Sequence, residues 1–284
     1  MLEAYPNTKA VITADVGVAA HEAIDYAQLK GLKVFVTDHH TVGVLPQAEV
    51  VVDPNRPDDP YELKGICGAY VMQQCLSYYA DRYEDFFAKE QINRLCVFAG
   101  IGTVSDSMPL YQQNRILVRD ALSICRYIYS NGDSDLVDNL PGCLTYKKAF
   151  YGLYLILDLF VSLGKIGDMA GLNEEVFGFY LAPMFNAVNR MEGNMDDAFG
   201  VFFGHEPEAS LQQLYDLNEQ RRLTVEEFYE KLDQDPQPFA PYVCFTEAHK
   251  CILGLLAQRK LRRYVSYPEK MSRSIFLLTL RQKT

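Results

Sequence analysis

One stretch limits what this chain can fold into more than any other: Val34-Phe35-Val36-Thr37-Asp38-His39-His40. A β-branched apolar run stops abruptly at an acid and two imidazoles. A buried parallel strand ends this way when its carboxyl edge carries a site. Val11-Ile12-Thr13-Ala14-Asp15 has the same form. Between the two, apolar residues at Ala23, Ile24, Ala27 and Leu29, followed by Gly31, predict a helix and its stop. Strand, helix and strand in about thirty residues make a right-handed crossover with parallel strands. Asp15 and His39 then leave the sheet at the same edge.

Further along, Val50-Val51-Val52 reads as a third buried strand, and Pro54, Pro57 and Pro60 make the next segment a loop. Gly65 and Gly68 precede a helix over about 69–80. Glycines there either let backbone amides approach a phosphate or allow close packing. Helices are expected over about 89–102 and 111–130, with a turn at Asn131-Gly132-Asp133. From 145 to 235 the pattern is mostly helical, with an amphipathic stretch from Pro207 to Asp233. Phe150 to Leu163 is apolar but short and carries Asp158, so it reads as a core helix and not a membrane span. Pro236, Pro238 and Pro241 mark a boundary. After it, Tyr242 to Phe245 reads as a strand, Cys251 to Tyr264 as a helix and Met271 to Leu280 as a last strand. The fold class is therefore α/β, with a parallel sheet in front, a helical middle and the start of a second α/β unit.

Charge narrows the functional classes. With a net charge of −10 and a pI near 5.0, the surface as a whole does not attract polyanions. Contact with nucleic acid would need a local basic patch or metal ions. Lys250, Arg259, Lys260, Arg262 and Arg263 form the concentrated basic patch, which a solvated helix face explains equally well. The 7 cysteines show no CxxC spacing and read as buried thiols in a reducing cytoplasm. Met1 to Pro6 has neither a basic start nor an apolar core, so no secretory leader is expected.

Asp15, His39, His40 and Asp106, the last within Gly102-Thr103-Val104-Ser105-Asp106-Ser107-Met108-Pro109-Leu110, are candidate ligands. Carboxylates and imidazoles without a thiolate suit Mn²⁺, and less well Mg²⁺ or Zn²⁺. Such a site lowers the pKa of a bound water and braces the leaving oxygen of a phosphoester. Plainer readings stand beside this one. Asp15 could cap the following helix, and the histidine pair could form a turn.

These residues carry a resemblance. Thr37-Asp38-His39-His40 resembles the signature of the DHH phosphoesterase superfamily, and Asp15 and Asp106 are similar to the acids of its flanking motifs. Within it, three stretches resemble the RecJ-like single-strand-specific exonucleases: Leu181 to Met191, Leu217 to Arg222, and His249 to Ala257. The resemblance implies a Rossmann-like DHH domain over 1–205, a connecting helix over 206–238 and a partial DHHA1-like domain over 239–284. It implies two-metal hydrolysis of phosphodiester bonds, 5′→3′ on single-stranded DNA, in DNA repair and recombination, with Mn²⁺ or Mg²⁺ as cofactor. Asp15, His39 and Asp106 would be metal ligands, and His40 would join them in catalysis. His40, Asn186, Arg190, His249, Ser272 and Arg273 would contact substrate, although Arg190 could instead pair with Glu192 or Asp196. Single-stranded DNA is the implied partner, with a single-strand DNA-binding protein or a helicase alongside. The implied setting is cytoplasmic, without a membrane.

The departures set further expectations. A paired-aspartate motif of the family, expected before Asp15, is missing, and Met271-Ser272-Arg273-Ser274-Ile275 lacks the glycines of the family's substrate loop. Weak activity or none is expected on that ground. The alternatives are a non-catalytic DHH-derived DNA-binding or scaffold protein and a small-nucleotide phosphatase.

Overall fold

The computed structural model describes residues 5–83, 86–138, 144–234, 243–246, 248, 250–265 and 276–279. Contacts divide the chain into two compact units, Met1–Tyr180 and Leu181–Thr284. This division falls before position 205, because the helices at 182–203 belong to the same unit as the long helix after them.

The first unit opens with the expected crossover. Strand β1 (Ala10–Ala14), helix α1 (His21–Leu29) and strand β2 (Lys33–Thr37) are followed by strand β3 (Val50–Val52). The sheet is parallel with order β1-β2-β3. Ala14 pairs with Thr37, and Thr37 pairs with Val52. Asp15, Asp38 and Asp53 are therefore the first residues past the carboxyl ends of three neighbouring strands. Val34 and Val36 are buried in the central strand and pack with Val18, Ile24 and Val51. Their alternate residues would otherwise stand in water, so this cluster is what ties α1 to the sheet.

A helical layer follows: α2 (Gly68–Arg82), α3 (Phe86–Arg94), α4 (Cys96–Ser105), α5 (Gln112–Asp138) and α6 (Leu144–Ser162). The single helix expected over 89–102 is two helices, broken at Leu95, where a polar segment meets the apolar run of α4. The apolar segment buries Val97, Ala99 and Ile101, a demand the polar one does not share. The turn expected at Asn131-Gly132-Asp133 does not form, and α5 runs through it to Asp138. One glycine costs a helix interior only about 1 kcal/mol, and the helix absorbs it. The core helix expected at 150–163 is α6, whose Phe150, Leu153, Ile156, Leu157 and Phe160 line one buried stripe. Among the described residues no helix is long and apolar enough to cross a membrane.

The chain then passes a 3₁₀ turn (Met169–Gly171), helix α7 (Glu174–Val176) and a π-helical turn (Phe177–Leu181). The second unit holds α8 (Ala182–Arg190), α9 (Met195–Phe203), α10 (Pro207–Gln234), β4 (Val243–Thr246), α11 (Lys250–Val265) and β5 (Phe276–Thr279). Helix α10 covers the whole amphipathic stretch read from the sequence. β4 and β5 pair in parallel across α11, so the second crossover also forms. Val225 and Leu232 on α10 pack with Ile252 and Leu256 on α11.

Candidate metal centre

Two strand ends and one helix end build the site. Asp15 follows β1, His39 and His40 follow β2, and Asp106 caps the carboxyl end of α4. His39 Nε2 lies 3.0 Å from Asp15 Oδ1 and 3.8 Å from Asp106 Oδ2. One ligand atom each from Asp15, His39 and His40 fall within 4.8 Å of one another. The four residues expected from the sequence are thus brought together at one sheet edge.

Asp15 sits in the left-handed region with φ 65°. Acids tolerate this conformation better than most residues, yet it carries a local cost of roughly 1 kcal/mol. The cost is offset locally: the Asp15 N–H donates to Thr37 O at 3.0 Å, and the Thr37 hydroxyl donates to Thr13 O at 2.7 Å. Gly68, the first residue of α2, lies against Asp15. A Cβ there would come within 2.3 Å of Asp15 Oδ1 and 2.6 Å of its Cα. The glycine expected near the start of this helix serves close approach to an acid, which is the packing alternative.

Asp38 is buried and holds the cluster from beneath. Its Oδ2 accepts the Val18 N–H at 2.9 Å, and its Oδ1 accepts the His39 N–H at 2.8 Å and meets His40 Nδ1 at 2.6 Å. The first of these contacts needs Gly17, whose φ of 130° and tight fit against Val36 exclude a side chain. Burial alone would raise the Asp38 carboxyl. The Val18 N–H, the His40 ring and the His39 N–H outweigh burial and hold it below the ordinary range. In return, the hydrogen bond to Asp38 raises the His40 ring above its ordinary value, against the opposing effect of its own burial.

A pH prediction follows from these directions. Folding raises His40, so this pairing stabilises fully below the free imidazole value of about 6.5 and fades as pH rises through the folded value. Folding lowers Asp38, so the same pairing fades again as pH falls through the depressed carboxyl value, below about 4. In histidine-detected NMR, His40 should titrate above about 6.5, and Asp38→Asn should bring it down. An unchanged His40 titration in that variant would exclude the pairing.

The Asp106 carboxyl is raised, first by burial and then by the Asp15 charge, with His39 and His40 pulling the other way. Two acids crowding one imidazole make a place of negative potential, and a divalent cation relieves it.

The sequence does not single out Asp53 or Asn114 as site residues. Asp53 stands beside Asp38 at the end of β3 and is fully buried. Its signal was available, since Val50-Val51-Val52-Asp53 repeats the apolar-run-then-acid form of the other two strands. Asn114 is buried on α5, and its amide donates to Gly65 O at 2.6 Å and Pro109 O at 3.0 Å. It fixes the loops beside Gly68 and Asp106, and nothing local in the sequence marks it.

The remaining candidates belong to the second unit. Asn186 is exposed and Arg190 half-buried on α8. Arg221 on α10 donates to Asn218 Oδ1 at 2.9 Å, and its guanidinium pKa is pushed down by burial and by the nearby Arg190 charge. Within the basic patch, Arg259 is engaged: it makes two hydrogen bonds to Glu226, at 2.8 and 2.5 Å, and lies 4.4 Å above the Tyr229 ring. His249, Ser272 and Arg273 lie outside the described residues, as do the side chains of Lys250, Lys260, Arg262 and Arg263.

Comparison with known proteins gives this geometry its context. Residues 1–101 match the DHH family, N-terminal domain. The single-stranded-DNA-specific exonuclease RecJ of Bacillus subtilis (strain 168) is 30% identical over 219 residues, 76% of this chain and 24% of that protein. Its counterpart from Dickeya dadantii (strain 3937) is 26% identical over 284 residues, 92% of this chain and 44% of that protein. The chain thus spans less than half the length of these curated relatives. A crystal structure of exonuclease RecJ bound to manganese superposes with a TM-score of 0.70 at 25% identity, covering 98% of this chain and 62% of that one. Fold, strand-end motif and relatives agree: residues 1–101 carry the N-terminal domain of the DHH family, and the chain as a whole is RecJ-like.

Proposed function

We propose that this chain is a metal-dependent phosphodiesterase acting on single-stranded DNA as a 5′→3′ exonuclease. The observation that carries the reading is the convergence of Asp15, His39 and Asp106, with His39 Nε2 at 3.0 and 3.8 Å from the two carboxylates. The relatives are named as single-stranded-DNA-specific exonucleases, and the solved neighbour holds manganese.

The donor set fits that metal. Two carboxylates and an imidazole without a thiolate suit Mn²⁺, with Mg²⁺ as the alternative. Asp15, His39 and Asp106 would hold it, and it would supply an activated water and charge neutralisation at the phosphoester. His40 does a different job. Its ring is exposed and tied to buried Asp38, so its cationic form is favoured and its free nitrogen can donate to a phosphate oxygen. Arg190 and Arg221, two guanidiniums close to one another on α8 and α10, are suited to a second phosphate of the strand. Asn186, His249, Ser272 and Arg273 complete the proposed substrate contacts. The chain is read as a DHH domain, the connecting helix α10 and a partial DHHA1-like unit. It would work in the cytoplasm, beside a single-strand DNA-binding protein or a helicase.

Among the described residues the donors gathered at His39 suffice for about one ion, so turnover is expected to be slow. The test is nucleotide release from a 5′-phosphorylated single-stranded oligonucleotide with Mn²⁺, with excess chelator, and with a duplex substrate. Slow Mn²⁺-dependent release from the single strand alone is expected. Release that survives the chelator excludes the metal mechanism, and tight DNA binding without release points to the non-catalytic alternative.

A further inference from the structure

His39 has a structural problem that its role makes acute. The Asp38 N–H still reaches Val52 O at 3.0 Å, but the next residues leave the sheet, and no regular structure forms until Val50. The backbone carrying the central imidazole therefore needs anchors other than strand pairing. Side chains supply both. The His39 N–H donates to Asp38 Oδ1 at 2.8 Å, and the His39 carbonyl accepts from the Asn55 amide nitrogen at 2.6 Å. Asn55 is held in turn, because its own N–H donates to Asp53 Oδ1 at 2.7 Å.

Asp53 is an expensive way to build such a turn. It is fully buried, and its Oδ2 meets no protein donor. Serine or asparagine closes the same kind of turn without burying a carboxylate. A cost of this kind persists where the geometry it enforces matters.

Resting on the metal-centre reading above, we infer that Asn55, locked by Asp53, is a positioning residue that fixes the His39 backbone so that its imidazole meets Asp15 and Asp106. Its side chain is spent on the His39 carbonyl and it is not one of the gathered donor residues. With the backbone pinned on both sides, the His39 ring keeps only its two side-chain rotations. Losing an outer partner of a metal-binding histidine costs about 10–100-fold in metal affinity.

The test compares wild type with Asn55→Ala, Asn55→Asp and, as a control far from the site, Asn173→Ala. Asn55→Asp keeps the shape and the N–H accepted by Asp53 but replaces the amide donor facing the His39 carbonyl with a carboxylate oxygen, which adds a charge that Asn55→Ala does not. Asn173→Ala removes a helix cap, since Asn173 Oδ1 accepts the Glu175 N–H at 3.1 Å. Mn²⁺ affinity is measured by calorimetry, and the His39 carbonyl and ring resonances are read by NMR in metal-free protein. Both Asn55 variants should bind Mn²⁺ at least about tenfold more weakly and shift the His39 resonances, while Asn173→Ala does neither. If the His39 resonances stay in place in Asn55→Asp, or if its affinity loss is no greater than that of Asn173→Ala, the positioning role is wrong. Wild type that binds no Mn²⁺ overturns the metal-centre reading instead. The metal-free NMR comparison then decides the positioning role by itself.

Discussion

Replacing His39 by alanine is expected to remove Mn²⁺ binding and with it Mn²⁺-dependent cleavage, while the fold survives. His39 Nε2 is the atom that faces both Asp15 and Asp106, so the change deletes the centre of the donor set and not its rim. Losing an outer partner of a metal site costs about 10–100-fold, and losing a direct ligand should exceed that, more than about a hundredfold in affinity. Cleavage should fall by at least as much, and excess Mn²⁺ should restore little of it, because the two carboxylates left behind lose the nitrogen donor that faces both of them. Folding should be less affected. The strand before His39 keeps its register with β1 and β3, and the Asp38 contacts to Val18 and His40 do not use the His39 ring. Calorimetry with Mn²⁺, nuclease assay and thermal unfolding of the metal-free protein measure the three quantities. Wild-type Mn²⁺ affinity in His39→Ala would sink the assignment.

How much of this was legible beforehand depends on which physical signal each residue carried. Asp15, His39 and Asp106 each end an apolar segment, and parallel pairing fixes two of them at one edge once the crossover is read. A short apolar run gave α6, and amphipathic periodicity gave α10. Local signals misled at two places. Asn131-Gly132-Asp133 has strong turn chemistry, yet α5 continues through it. The break at Leu95 carries neither glycine nor proline and follows from what α4 must bury. Composition marks Arg259 as part of a basic patch without saying which carboxylate its guanidinium will find, here Glu226. Asn114 and Asn55 were invisible for a related reason. Each acts on the backbone carbonyl of a residue far away in sequence, and the sequence does not register such distances.

Gly68→Ala should both destabilise the first unit and disturb the metal centre. On propensity alone the change is favourable, since alanine is better than glycine in a helix interior by about 1 kcal/mol. The gain is smaller at position 68, which is the first residue of α2. Against it stands a Cβ placed 2.3 Å from Asp15 Oδ1, 2.5 Å from its Cβ and 2.6 Å from its Cα. The obstacle includes backbone, so a rotamer change cannot relieve it. Asp15 is itself pinned, with φ 65° and its N–H on Thr37 O. Helix α2 cannot slide away cheaply, because Cys67, Tyr70 and Val71 are packed in the core with Ala99 and Leu117. Overpacking of this kind costs about 1–3 kcal/mol, which exceeds the propensity gain. Whichever body yields, Asp15 moves relative to His39, so metal affinity should fall as well. Urea unfolding with and without saturating Mn²⁺ reads both effects. The metal-free midpoint should drop, and the extra stability conferred by Mn²⁺ should shrink by about 1.4 kcal/mol for each tenfold loss of affinity. A Gly68→Ala protein as stable as wild type and equally stabilised by Mn²⁺ would show that Asp15 does not need that approach, and the left-handed turn at Asp15 would then lack its functional reason.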